Sequence, residues 1–387
     1  MALSFALGDE QEQLRRTVRR FATEEVGPRA RDLNAAGEFP VDLVQRMGVL
    51  GLLGLLFPSE YGGSGADLVT FCLAVEELGR VDQSLGITLE SAVILGGMPL
   101  LRFGTEEQKR RWLPPLVRGE RVAGFGLTEP TGGTDAAGLR TRAALDGDEW
   151  VVDGGKAFIG NAGTPITSHV AITAITGERD GGREITNLVV PAGTPGLVAH
   201  ERNRLVGWHT IDNRHLSFEG CRVPVGNQLG QRGRGLANFL SILDQGRVAI
   251  AALAVGLIQG CVDECVAHAG RRHAFGSPIG AYQAISFKIA DMQVAAQTAR
   301  DATWRAAWLH DQGRPYRREA SIAKLYATEA AVTAAREACQ VFGGLGFTTD
   351  QPVGRFYQDA KVLEVGEGTS EVQRLLIARE LGLPKPR

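Results

Sequence analysis

The sequence predicts an α+β chain in three parts, helical at both ends and β-rich in the middle. Two observations carry this. Apolar residues recur with a helical period up to about residue 121 and again from about residue 237. Between these stretches lie short segments of alternating apolar and polar character, separated by Gly, Asn, Asp and Pro roughly every ten residues, which read as strands. The expected domains are an N-terminal helical domain at 1–121, a small antiparallel β-sandwich or barrel at 122–236, and a C-terminal helical, four-helix-bundle-like domain at 237–387.

In the first part, Asp9 with Glu12 three residues on has the form of a capping box, and Pro28 closes the first helical stretch. "PVDLVQRMGVLGLLGLLFP" is a second apolar helix, ended by Pro58, and Thr105 caps "TEEQKRRWLPPLVRGE". Arg15, Arg16, Arg19 and Arg20 share a helix whose other face carries Leu14, Val18 and Phe21, the pattern of a solvated basic face. The middle part offers "EWVVDGGKAFIGNAG", "SHVAITAIT" and "ITNLVVPAGTPGLVAH" as strands. In the last part, the segments beginning "FLSILDQGRVA", "AISFKIADM" and "EASIAKLYA" are long helices rich in Ala and Leu.

Composition excludes several classes. A net charge of −2 gives no basic footprint for nucleic acid. Five cysteines in 387 residues form no disulfide framework, and without CxxC or HExxH no metal site is expected. Apolar runs such as "VAIAALAVGLI" fall short of the roughly 20 residues of a membrane span, so no membrane insertion is expected. The N-terminus turns acidic before a signal core can form, and the reading is a cytoplasmic protein of bacterial composition. "GRGLAN" and "GGLGF" do not satisfy GxGxxG, there is no P-loop, and "GGSGA" lacks the setting of a hydrolase nucleophile.

One short stretch asks for chemistry. In "KVLEVGEGTSEVQRLLIAREL", Glu367 stands between Gly366 and Gly368 at a helix entrance, where Ser370 with Gln373 has capping spacing. Glycines on both sides let a backbone pass close to a ligand and carry a carboxylate with it.

Three segments then carry a resemblance. "GFGLTEPTGGTDAAG" (124–138) looks like the TEPxxGSD segment of the acyl-CoA dehydrogenase family. "RRHAFGSPIGAYQAISFKIADM" (271–292) is similar to that family's R-x-x-FG-x-x-x-x-x-x-Q signature, and "ACQVFGGLGFTTDQPVGRFYQDAKVLEVGEGTSEVQRLLIAREL" (338–381) to its C-terminal signature. The three fall in the family's order and the resemblance covers essentially the whole chain. It implies the acyl-CoA dehydrogenase fold, FAD, an acyl thioester held by CoA or a carrier protein, an electron-transfer flavoprotein as acceptor, and a homotetramer built as a pair of dimers.

The resemblance also assigns residues. Phe125, Leu127, Thr128, Gly133 and Thr134 would line the flavin and its polar edge, Thr134 also reaching substrate, and Phe158 and Gly160 would face the ring. Arg272, favoured over Arg271 by its spacing to Phe275-Gly276, matches the arginine that pairs with the FAD pyrophosphate across a dimer interface. Phe275, Gln283, Gln340, Gly343 and Gly344 match further FAD contacts, as do Thr369 and Glu371. Glu367 matches the base that removes the α proton, Gly368 flanks the thioester, and Asp244, Arg247 and Ser91 lie on the substrate side, with Arg247 equally open to a structural role. Small residues at Ser91, Ala92, Gly96 and Gly97 predict room for a medium, long or branched acyl group.

The chain departs from the family pattern in three places. "FIG" replaces the usual "WIT", so Gly160 removes a threonine hydroxyl near flavin N5; Gln358 replaces an arginine; and Gly366 stands where tyrosine is common. These keep open an oxidase, a carrier-bound acyl dehydrogenase or enoyl reductase, and a non-catalytic flavin-binding subunit.

Overall fold

A computed structural model of the chain describes residues 6–179 and 181–384. The first part is helical: α1 (Asp9–Phe21), α2 (Gly27–Ala36), α3 (Val41–Val49), α4 (Leu68–Gly79), α5 (Gln83–Glu90), α6 (Met98–Phe103) and α7 (Glu106–Val117). Thr105 caps α7 as expected, accepting from the Gln108 amide while Gln108 reaches back to Thr105 N. The start of α1 differs from expectation. Gly8 is the N-cap and Gln11 returns to its amide, one residue ahead of the Asp9–Glu12 pair. Pro28 also does not close a helix. A π-turn at Ala22–Val26 leads into α2, where Pro28 sits in the first turn with no amide to leave unpaired, and the helix ends at Gly37, φ +64°. Nor is the arginine face only solvated: Arg19 grips the buried carboxylate of Glu77 on α4 through Nε, at 2.8 Å, and Nη2.

The middle part is one eight-stranded sheet. Its strands are β1 (Val122–Gly126), β2 (Arg142–Asp146), β3 (Glu149–Gly160), β4 (Thr167–Arg179), β5 (Gly182–Pro191), β6 (Leu197–Arg202), β7 (Asn213–Pro224) and β8 (Gln228–Leu229). The order is β6-β7-β3-β2-β4-β5-β8, with β1 added beside β4. Most pairs are antiparallel, but β1 and β2 both run parallel to β4, which alternation along single strands does not reveal. Leu216, Phe218, Cys221 and Val223 of β7 point inward onto Trp150 and Val152 of β3.

The last part holds α8 (Gly235–Arg271), a short hairpin of β9 (His273–Ala274) and β10 (Ser277–Pro278), then α9 (Gln283–Asp311), α10 (Arg317–Phe342), α11 (Pro352–Leu363) and α12 (Ser370–Glu380). From Val248 to Leu257, α8 is buried on every side, so it is apolar all round rather than amphipathic. Each fully buried Leu, Ile or Val there contributes about 1.5–3 kcal/mol. Gly256 lets α4 dock on it, since a Cβ would lie 2.3 Å from Glu76 O. The expectation from run length is corrected here. Both 83–103 and 235–271 contain an 18-residue window apolar enough to cross a membrane, because Gly and Ala extend the runs, yet 83% of each window is buried in the protein's own core.

Candidate active site

Glu367 sits in the turn between α11 and α12 with φ +53°, followed by Gly368 at +98°. A left-handed glutamate costs about 1–3 kcal/mol and persists only where its surroundings hold it. Gln373, fully buried, donates from Nε2 to Gly368 O at 2.9 Å, and Lys324, also fully buried, donates from Nζ to the same oxygen at 2.7 Å. Ser370 and Gln373 therefore do not form the expected cap. Thr369 is the N-cap, accepting from Val372 N at 3.3 Å, and Gln373 is turned inward to grip the loop.

The glutamate side chain rests on α8. A Cβ on Gly246 would lie 2.0 Å from Glu367 Oε2, so only glycine leaves room there. From α5 comes Glu90, wholly buried, its carboxyl within hydrogen-bonding reach of that of Glu367. Glu90 Oε1, Glu90 Oε2 and Glu367 Oε2 receive no donor from the rest of the described chain, so a proton on one of the two acids is what lets them meet. Burial pushes the Glu367 carboxyl up to about 7, with its contact to Glu90 and the charges of Lys324 and Arg247 pulling it back down; burial and then Glu367 push Glu90 well above the ordinary range. Asp244 and Arg247, expected on the substrate side, form a buried ion pair one turn apart, and Arg317 Nε adds a second contact to Asp244 at 3.0 Å.

The β-domain positions that the resemblance assigns to the flavin cluster around the start of the turn after β1. Ala157 N donates to Thr128 O, which sets this turn against β3 just before Phe158. Phe158 is 62% exposed at φ +59°. Gly133 and Thr134 are exposed and Gly160 is half-buried. Glu129 anchors the turn from below, accepting from Lys156 Nζ at 2.8 Å, Arg140 N at 2.6 Å and Thr141 N at 3.1 Å. Phe125 is half-buried and stacks on Phe239, ring centroids 4.0 Å apart, and Leu127 is buried. Ser91 is likewise engaged, accepting from Asn161 Nδ2 at 3.0 Å.

Gly96 and Gly97 do not open the acyl pocket, contrary to expectation. A Cβ on Gly96 would meet Ala123 O at 2.9 Å, and one on Gly97 the Phe57 ring at 2.3 Å, so their small size is used by packing.

Arg272, Phe275, Gln283, Gln340, Gly343 and Gly344 form a separate group. Arg272 follows the last turn of α8 and Gln340 lies in the last turn of α10, two ends joined by His268 stacking on Phe342 at 4.1 Å. Arg271 folds back to Ala267 O at 3.1 Å, which leaves Arg272 as the outward arginine. Phe275 and Phe347 are each 96% exposed. Along α8 this group lies about 40 Å from Asp244 at 1.5 Å per residue, so one chain does not bring it to Glu367. Thr369 spends its hydroxyl on the cap, and Glu371 is exposed at the start of α12.

Sequence reasoning missed Glu90, Lys324, Gly246 and the Glu129–Lys156 anchor. A signal existed for the first two: each is a lone charge inside an apolar helical run, "GITLESAVILGG" and "ASIAKLYA".

Comparison with known proteins agrees along the whole chain. The N-terminal, middle and C-terminal domains of acyl-CoA dehydrogenase match residues 8–120, 124–221 and 233–382. The chain is 46% identical to the probable acyl-CoA dehydrogenase YngJ of Bacillus subtilis, covering 98% of this chain and 100% of that protein. It is 40% identical to the mitochondrial short-chain specific acyl-CoA dehydrogenase of Rattus norvegicus, covering 98% and 91%. The solved butyryl-CoA dehydrogenase of Megasphaera elsdenii superposes with a TM-score of 0.94 at 36% identity, covering 98% and 100%. With its three domains, their order and the Glu367 turn all in place, this chain belongs to the acyl-CoA dehydrogenase family.

Proposed function

We propose that the protein oxidises short acyl-CoA thioesters to trans-2-enoyl-CoA, with Glu367 as the base that removes the α proton. The observation that carries this reading is the Glu367 carboxyl, held on a left-handed turn against bare Gly246 with burial raising it to about 7. A base poised near the working pH has the basicity to take a weakly acidic proton and is still ionised in half or more of the molecules. The amide of Glu367 or Gly368 donates to the thioester carbonyl, where charge develops as the proton leaves. Gly96 and Gly97, whose small size is taken up by packing, favour a short acyl chain over the medium, long or branched one expected from the small residues at 91–97.

The residues present fit a flavin. A bulky Phe158 held in solvent at positive φ, beside a turn carrying the Thr128 and Thr134 hydroxyls, is an arrangement that a planar ring would cover. FAD, when bound, accepts the β hydride. Arg272 and Gln340 at the far end of α8 would reach a cofactor only from a second copy of the chain, which supports a dimer sharing FAD and, from it, a homotetramer. An electron-transfer flavoprotein as acceptor and a cytoplasmic location complete the reading.

Gly160 favours a second reading, an oxidase, because it removes a hydroxyl donor from beside the ring. Anaerobic titration of the yellow protein with butyryl-, octanoyl- and isovaleryl-CoA tests both. Bleaching strongest with butyryl-CoA is expected. A yellow protein that no acyl-CoA bleaches would overturn the reading, and hydrogen peroxide released stoichiometrically in air would select the oxidase.

A further inference from the structure

The Glu367 turn is gripped twice at one atom. Gln373 and Lys324 both donate to Gly368 O, at 2.9 and 2.7 Å. A neutral amide is enough to hold a carbonyl, so a buried ammonium at the same oxygen is in excess of what the turn needs. Desolvating a charge is costly unless an opposite charge faces it. Among the described residues Lys324 forms no ion pair of its own, whereas Arg247 is engaged by Asp244, which Arg317 shares. The charged and titratable groups facing Glu367 are Glu90 from α5, Arg247 from α8 and Lys324 from α10. Burial opposes ionisation of Glu367, while the contact to Glu90 and the charges of Lys324 and Arg247 favour it; Arg247 shares Asp244 with Arg317, and Lys324 is the cation that also holds the turn.

We propose that Lys324 is the positioning residue of the base: its bond to Gly368 O locks the left-handed turn, and its charge keeps Glu367 ionised against the cost of its burial. This rests on the reading of Glu367 as the base. The reciprocal effect is present as well. Burial draws Lys324 down to about 8 while Glu367 pulls it back up, so the two charges support each other. The two charges coexist most often in the interval between about 7, where Glu367 is half ionised, and about 8, where Lys324 has lost half of its protons.

Two measurements on the FAD-loaded protein test this. The first follows the Glu367 carboxyl band by infrared difference spectroscopy across pH, together with exchange of the butyryl-CoA α proton into D2O, in wild type, K324Q and K324R. K324Q keeps a donor for Gly368 O and removes the charge. Its Glu367 midpoint should rise by at least about one pH unit, and exchange at pH 7 should fall about tenfold, with butyryl-CoA affinity within about twofold of wild type. K324R should hold the midpoint near that of wild type. The second needs no Lys324 variant: nitrogen-15 NMR of the Lys324 ammonium in wild type and E367Q, where loss of the carboxylate should lower the lysine midpoint by a similar amount. Unmoved midpoints in K324Q, or in E367Q if K324Q does not fold, would overturn the proposal. Wild-type proton exchange by E367Q would instead sink the base reading while leaving the lysine result to stand.

Discussion

Two buried glutamate–lysine sites in this molecule use the same residues to opposite ends. In the β domain, Glu129 accepts from Lys156 and from two backbone amides, and although burial pushes its carboxyl up, Lys156, Thr141 and Arg140 together hold it below the ordinary range. In the C-terminal domain, Glu367 is near Lys324 but has an oxygen without a donor, a second carboxyl beside it and a left-handed backbone, and its carboxyl is raised. Lys324 spends its hydrogen bond on the carbonyl of Gly368, not on the carboxylate. A satisfied carboxylate is inert and fixes a turn. An under-satisfied one is kept reactive, and the rest of the fold bears that cost.

The comparison breaks if the first site tolerates loss of its acid. E129A leaves the buried Lys156 ammonium unpaired and should cost about 3–5 kcal/mol of stability, read as a fall in denaturant midpoint, whereas E367A should cost far less. It sharpens if the second site proves sensitive to position alone. G246A inserts a methyl where Glu367 Oε2 now lies and should lower the rate of flavin reduction by butyryl-CoA about 100-fold, with the helix content unchanged. Because the Glu367 carboxyl is raised, its basic form is lost as pH falls below about 7. The rate should drop tenfold per pH unit below that point, and a profile still flat at pH 5 would contradict the raised acid. The smallest effect is expected at the ring-covering position: F158A should weaken FAD retention about five- to tenfold, measured by flavin release on dilution.

Much of this fold was legible because it is written locally. The three-part plan follows from a change of period, and the Thr105–Gln108 cap from two adjacent signals that agree. Where neighbouring residues offered competing caps, local reasoning chose wrongly. Gly8 with Gln11 and Asp9 with Glu12 have the same spacing, as do Thr369 with Val372 and Ser370 with Gln373, and in each case the earlier pair is the one that forms. The carboxylate at Glu367 was legible from its two glycines and from family resemblance. Its regulators were not, because Glu90, Gly246 and Lys324 approach from α5, α8 and α10, and no window of sequence contains them together. The parallel pairing of β1 with β4 was hidden for the same reason.

The most direct test of the account compares wild type and E367Q under anaerobic conditions, each loaded with FAD and mixed with butyryl-CoA while the oxidised-flavin band is followed. The account predicts that wild type bleaches and that E367Q, folded and yellow, bleaches at least about 1,000-fold more slowly, because the α proton has no base to receive it. Bleaching of E367Q at the wild-type rate would contradict it.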